Sequence, residues 1–432
     1  MADTNTMTLK TVFTAEYQMS HYREPVYQVF ADTRLESQLT KGATIARSYA
    51  SDVTVNDVGD DGSYARQAIT DTQETLVINK EKEASIYIKD LESLQAHLPL
   101  KQKYGRKLAN ALVNQIDADV LGAMYDGAGT TLDDGDFGGT DGNAFVLTAS
   151  NIATVFVTAM QKLRLKNVVY NKRFKSAAGM KLEVPEGMPA VAISPEMLSY
   201  IELYLGGKDT LLGDQVSRNG YAGYFMGFEL FVSNALPWTA SLGCATIATD
   251  TNTVIINGVT FTADGDGAAT GAGHWSIQGS ADLCWAQFAD AFNNEEGYEA
   301  SVGAVDTYIE LTAANRALLA NITATHSTSL DTVVFKGFGW GTVVVSETLT
   351  NGTDTFTDTL QAIHPIFGLS KSISLVIQKN PTLVEKDRTG YIGSDFVAWT
   401  AYGSKVFVDQ APQIVELSVK SSSFTSAATT VK

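Results

Sequence analysis

The sequence is poor in cysteine, histidine and basic residues, and each shortage removes a class of function. Two cysteines in 432 residues, Cys244 and Cys284, cannot make a disulfide framework. They read as buried small hydrophobes of a cytoplasmic product rather than as a bridge. The five histidines, His21, His97, His274, His326 and His364, include no pair at a metal-ligand spacing. There is no GxSxG elbow and no CxxC pair, and the glycine-rich stretch 265–273 is not followed by the Lys-Ser/Thr of a phosphate-binding loop. No catalytic constellation, metal site or cofactor is therefore expected. No run of about 18 apolar residues exists, so no membrane span is expected. The opening MADTNTMTLK has no apolar run behind a basic stretch. No secretion leader is expected, and the sequons at Asn321 and Asn351 lose their meaning. Lys and Arg number 31 against 48 Asp and Glu, a net charge of −17. Such a chain repels phosphate, so contact with nucleic acid requires a local basic face.

What is present points to a globular α+β chain. Hydrophobic residues make up 44%, with 17 Tyr and 19 Phe, enough for two or three packed domains. The charge is unevenly placed. Residues 241–360 hold fourteen acidic residues and only two basic ones, Arg316 and Lys336, and so carry −12 of the −17. That break in composition suggests an inserted domain.

Residues 1–40 read as an extended arm with one short helix around 25–35. Strand character follows at 43–49 and 51–55, then a polar tip of turn chemistry (Asn56, Asp57, Val58, Gly59, Asp60, Asp61, Gly62), then strands at 74–79 and 83–89. This is a long two-stranded arm without a core of its own, and it needs a partner, expected in a neighbouring chain. Behind Pro99, Tyr104, Leu108, Leu112, Ile116 and Val120 recur every four residues, joined by Ala111 and Met124. They predict a helix of about 27 residues, with Lys101, Lys103, Arg106 and Lys107 on its other side. Residues 127–143 read as a loop. A helix capped by Ser150 carries Ile152, Val155, Phe156, Ala159 and Leu163 on one face. A short strand is expected at 190–193, a helix at 195–205 and a strand at 228–232. The acidic segment opens with 245–249. It continues with a hairpin, 253–256 and 259–262, turned at Asn257-Gly258. A helix capped by Ser280 follows, carrying Ala281, Trp285, Phe288 and Phe292, then short strands near 307–311, 332–335 and 342–346. Strands at 372–377 and 404–408 close the chain.

Two charged runs are candidate sites. Asp133-Asp134-Gly135-Asp136 lacks the alternate acids and the twelfth-position Glu of a calcium loop, and reads as a solvated loop. The basic stretch 166–181, with Lys172, Arg173 and Lys175, suits a solvated loop first, then a salt-bridge site between subunits, and DNA contact least. The basic side of the long helix is the better candidate for sequence-blind phosphate contact.

In this order the elements resemble the shell fold shared by tailed double-stranded DNA phages and herpesviruses. Three stretches carry the likeness. LVINKEKEASIYIKDLE (76–92), running into YGRKLANAL (104–112) and Ile116-Asp-Ala-Asp119, is similar to the E-loop return strand and spine helix of such capsid proteins. NGYAGYFMGF (219–228), continuing to Ser233-Asn-Ala-Leu-Pro237, resembles their A-domain signature. YGSKVF (402–407) is similar to the closing P-domain strand. The likeness spans roughly 10–238 and 361–420. It implies an N-terminal arm at 1–40, an E-loop hairpin and P-domain strand at 41–92, a spine helix at 93–126, and a G-loop and A-domain at 127–238. An inserted acidic domain would occupy 239–361, and A- and P-domain return strands 362–432. It further implies a major capsid protein of the virion, assembled in the host cytoplasm as pentamers and hexamers of an icosahedral shell. Its partners would be a portal protein, scaffolding or cement proteins, and packaged double-stranded DNA bound without sequence specificity. The alternative within the same fold is a cellular nanocompartment shell around protein cargo. An extracellular adhesin is suggested only by the Thr- and Gly-rich segment. The acidic segment is expected to face outward on the A-domain, because phosphates would repel it.

Overall fold

The computed structural model describes residues 25–38, 42–50, 53–58, 60, 62–64, 66–89, 100–169, 176–177, 180–181, 187–206, 223–265, 272–277, 279–293, 311–338, 344–350, 354, 356, 362–387, 392–420 and 425–426. The architecture is α+β and is organised, among the described residues, around one long helix and four sheets of four to six strands. A helix of four residues, α1 (Tyr27–Phe30), comes first, and α2 (Leu100–Asp126) is the 27-residue helix that the apolar spacing predicts. Its two halves differ. In the first, Leu108 and Leu112 are buried while Tyr104 and Ala111 stay exposed, so the stripe is narrower than the sequence suggests. In the second, every residue from Ile116 to Leu121 is buried, because the chain wraps the helix on all sides.

The first sheet runs β1 (Ala31–Asp32), β20 (Ile373–Asp387), β21 (Gly393–Lys405), β4 (Lys80–Lys89). Leu108 and Leu112 of α2 cluster with Ile88, Phe396 and Ala398 of this sheet. The helix expected at 25–35 stops at Phe30 because Ala31 and Asp32 pair in parallel with Ile373 and Ser374. The closing strand ends at Lys405, earlier than the predicted 408. β2 (Thr44–Ala50) and β3 (Asp71–Val77) form a separate two-stranded arm, in register from Thr44↔Val77 to Ala50↔Asp71. The strand character expected at 53–55 is not realised, and that stretch is exposed coil.

The second sheet is mixed. Its order is β5 (Thr130–Leu132), β22 (Ile414–Leu417), β19 (Ile366–Leu369), β8 (Pro189–Ile193), β10 (Phe228–Val232), β9 (Tyr224–Phe225). Alternation sorts its side chains. Val191, Ile193, Phe367, Val415 and Leu417 join a core with α3 (Ile152–Leu165) and α4 (Pro195–Gly206), whereas Ala190, Ala192, Ile366 and Ile414 face the end of α2. β9 and β10 turn at Met226 and Gly227, both at positive φ, which gives one glycine of the NGYAGYFMGF stretch its physical role. Part of the loop expected at 127–143 is strand β5, recruited by parallel pairing to β22. Ser150 does not cap α3. Asn151 takes the cap position, and the Ser150 hydroxyl meets that of Thr148 at 3.0 Å. A two-residue hairpin, β6 (Ser176–Ala177) with β7 (Met180–Lys181), lies in the basic stretch.

Two further sheets build the acidic segment. One runs β15 (Ile322–Ser327), β16 (Thr332–Phe338), β11 (Pro237–Gly243), β18 (Ala362–Ile363), β23 (Val419–Lys420). The other runs β14 (His274–Ser276), β13 (Val259–Asp264), β12 (Thr253–Ile256), β17 (Val344–Glu347), β24 (Thr425–Ser426). The opening strand is β11, ahead of the predicted 245–249, which is not a strand. Of its apolar residues only Ala248 is buried in the core, while Ala245 and Ile247 are exposed. The β12–β13 turn has Asn257 at φ 50 and Gly258 at φ 81, as the Asn-Gly pair requires. Helix α5 (Ala281–Asn293) starts where the Ser280 hydroxyl accepts from Leu283 N, and Cys284, Trp285, Phe288 and Phe292 form its buried face. Phe261, Trp275 and Phe335 close around Phe288. Helix α6 (Ala313–Leu318) and strand β15 have no counterpart in the sequence reading. Cys244 and Cys284 are buried free thiols, and burial pushes the Cys244 thiol up to about 12, leaving it unreactive. Among the described residues no helix is long and apolar enough to cross a membrane.

Candidate assembly interface

The arm carries apolar side chains that its own chain leaves uncovered. Val53, Val58, Tyr64 and Ile69 are exposed, and Val55 is 98% exposed. The tip residues Asn56, Asp57, Asp60 and Gly62 are exposed as well, with Gly62 at φ +78, while Gly59 and Asp61 lie outside the described residues. The Thr54 amide donates to Gln67 Oε1 at 3.0 Å, which ties the two sides of the tip together. Burying one such side chain is worth about 1.5–3 kcal/mol, so five of them on one projection make it a candidate contact surface.

The base of the arm is fixed. Leu76 packs with Val376 and Phe407, joined by Ile45 and Leu35. Arg47 pairs with Asp409 and lies 4.6 Å over the Phe407 ring. Lys405 Nζ donates to Thr75 O at 2.9 Å, and Gln378 Nε2 donates to Gly42 O at 2.9 Å. The arm is therefore anchored at one end and bare at the other.

On α2, Arg106 and Lys107 are exposed, opposite buried Leu108. Lys101 and Lys103 fall in the same helix, but their side chains lie outside the described residues, as do Lys172, Arg173 and Lys175 entirely. The acidic loop uses its carboxylates internally. Asp133 accepts from Gly135 N and Gly142 N, Asp134 accepts from Thr140 N, and Asp136 pairs with Lys162 at 2.8 Å. Among the described residues no group of three His, Cys, Asp or Glu is placed to hold a metal.

Two buried carboxylates hold the long helix in place. Asp117 and Asp119 are two residues apart, about 200° around the helix, and serve opposite flanks. Asp117 accepts from Val26 N at 2.9 Å and Tyr27 N at 2.7 Å, supplying acceptors for the free amides at the start of α1. Asp119 accepts from the Tyr402 hydroxyl, with Gln115 Nε2 at 3.3 Å and Lys80 Nζ at 3.7 Å. Burial lowers the Lys80 pKa and Asp119 pulls it back, while burial and Asp119 together raise that of Tyr402. Asp117→Ala removes the acceptor of two amides at once. At about 1–3 kcal/mol for each buried group left unsatisfied, a loss of roughly 2–5 kcal/mol is expected in urea denaturation, with Asp117→Asn recovering part of it.

A second buried polar group lies where the acidic segment joins the rest. His364 Nδ1 is 2.9 Å from Glu416 Oε2, an ion-pair distance without hydrogen-bond alignment. His364 Nε2 is 2.8 Å from Thr239 Oγ1, and the Tyr125 ring lies 4.4 Å from the imidazole. Four elements meet here, contributed by β11, the residue after β18, β22 and the end of α2. No sequence spacing relates these residues, so only the fold reveals the cluster.

No family model matches the chain, and no curated protein matches it in sequence. Solved structures match over nearly its whole length. A chain of Mycobacterium phage Che8 has a TM-score of 0.55 at 14% identity, covering 95% of this chain and 97% of that one. A chain from the capsid structure of the cyanophage P-SCSP1u has a TM-score of 0.51 at 12% identity, covering 96% and 94%. At these identities the fold is what is shared, and the chain has the fold of a phage capsid chain.

Proposed function

We propose that this chain is a major capsid protein that assembles with copies of itself into the icosahedral shell of a tailed phage and encloses packaged double-stranded DNA. The observation that carries the reading is the bare arm on the phage capsid fold. An anchored base and an uncovered apolar tip are what a contact across a neighbouring subunit requires. Lattice closure then multiplies contacts that are individually weak. In this reading residues 239–361 are an inserted domain, which the side-by-side pairing of β11 with β18 supports. Its charge of −12 favours the outer wall, and Arg106 and Lys107 on α2 favour an inner face toward DNA.

Negative-stain electron microscopy of the purified protein, and of a lysate containing it, tests the reading. Closed icosahedral particles holding nuclease-resistant DNA are expected. Particles filled with protein instead would make the chain a nanocompartment shell. Monomers or small oligomers under all conditions would overturn the shell reading, and a reconstruction with 241–360 on the inner wall would overturn its orientation.

A further inference from the structure

The acidic segment is joined to the rest of the chain by a sheet. β11 and β18, its first and last strands, pair antiparallel at Trp238↔Ile363 and Thr239↔Ala362, and β23 extends the same sheet at Ile363↔Val419. The last turns of α2 meet this sheet through specific contacts. A Cβ at Gly122 would overlap the Phe338 ring, so helix and β16 approach as closely as a glycine allows. Lys336, one of only two cations in residues 241–360, pairs with Asp126 and lies 4.7 Å over the Tyr125 ring. A cation at a helix C-terminus is also favoured by the helix dipole. The Tyr125 ring meets His364 as well, so it is held by both β16 and the residue after β18. Val120, Leu121 and Met124 belong to one continuous core with Trp238, Phe335 and Phe288.

We infer that Gly122, Tyr125 and Asp126 with Lys336, Phe338 and His364 form a rigid joint, so that the acidic segment turns with the long helix as a single body. Packed elements behave this way when their interface is dense and has one arrangement, whereas linker-tethered segments move independently by default. The inference concerns one chain and does not depend on the shell reading.

Spin labels on the full-length chain test it. Ala111→Cys on α2 and Leu330→Cys in the segment are exposed positions, and the native thiols are buried. A single narrow distance between the labels is expected. It should broaden or split in Gly122→Ala and in Lys336→Ala, while a second pair inside the segment, Leu318→Cys with Leu330→Cys, keeps its distance. Hydrogen exchange of 119–126 supplies a test of sign. Helix propensity alone makes Gly122→Ala slow that exchange about fivefold, whereas a joint forced open makes it faster there and in 332–338. A broad 111–330 distance in the parent chain, or slowed exchange with an unchanged distance in Gly122→Ala, would overturn the joint.

Discussion

Deleting Asn56–Gly62 is expected to abolish closed particles while leaving the chain folded. None of the described residues between 53 and 70 belongs to a core cluster, and all are exposed. The arm's register is set by β2 and β3 and by its base on Phe407 and Asp409, all outside the deletion. Among the described residues, removing the tip therefore leaves every buried contact intact. The circular dichroism spectrum and the urea midpoint should match those of the parent. Assembly should respond very differently. If each arm contributes even about 2 kcal/mol, the order of one buried apolar side chain, the loss recurs at every subunit of a closed lattice. Sedimentation and electron microscopy should then find monomers or small oligomers under conditions where the parent forms shells. Normal particles from the deletion would remove the arm tip from the assembly contact.

The physics of each element decides how much of this could be read from the sequence. Helix α2, the β12–β13 hairpin and α5 were legible because their signals are local: a four-residue apolar period, an Asn-Gly turn, and a serine ahead of an aromatic face. The arm was legible for a different reason, as β-rich sequence without enough apolar residues for a core. Strands β1, β5, β9 and β18 are two or three residues long and exist through partners far along the chain, so no local period marks them. Tyr104 and Ala111 fit the apolar period of α2 yet stay exposed, because the sheet beneath buries only the narrow line of Leu108 and Leu112 in this half of the helix. The buried polar groups behave likewise. Asp117 and Asp119 stand out in sequence as carboxylates within an apolar register, a sign of something unusual, but their partners Val26, Tyr27 and Tyr402 come only with the fold. His364 gave no sign at all, since the residues that surround it are Tyr125, Thr239 and Glu416.

His364→Ala is the point substitution expected to cost the most stability. The side chains of His364 and Glu416 are 5% and 6% exposed, so the imidazole is the polar neighbour of a carboxyl group that water hardly reaches. Truncating it leaves Glu416 buried without that neighbour, and takes the partner from the Thr239 hydroxyl. Leaving buried polar groups unsatisfied costs about 1–3 kcal/mol each, and more for a carboxylate, against a total stability of about 5–15 kcal/mol for a domain. A large fall in the urea midpoint is expected. The cost should arise from the stranded polar groups rather than from the lost volume, and a second variant separates the two. Replacing both partners by apolar residues of similar size, His364→Phe with Glu416→Leu, removes both polar groups together and should restore most of the stability, since such exchanges are often close to neutral. A double variant as unstable as His364→Ala would instead make shape the important property of the site. Because the cluster sits where β11, β22 and the end of α2 meet, the single variant should also loosen the acidic segment first. Limited proteolysis should then cut within 239–361 before it cuts the sheet that carries β20 and β21.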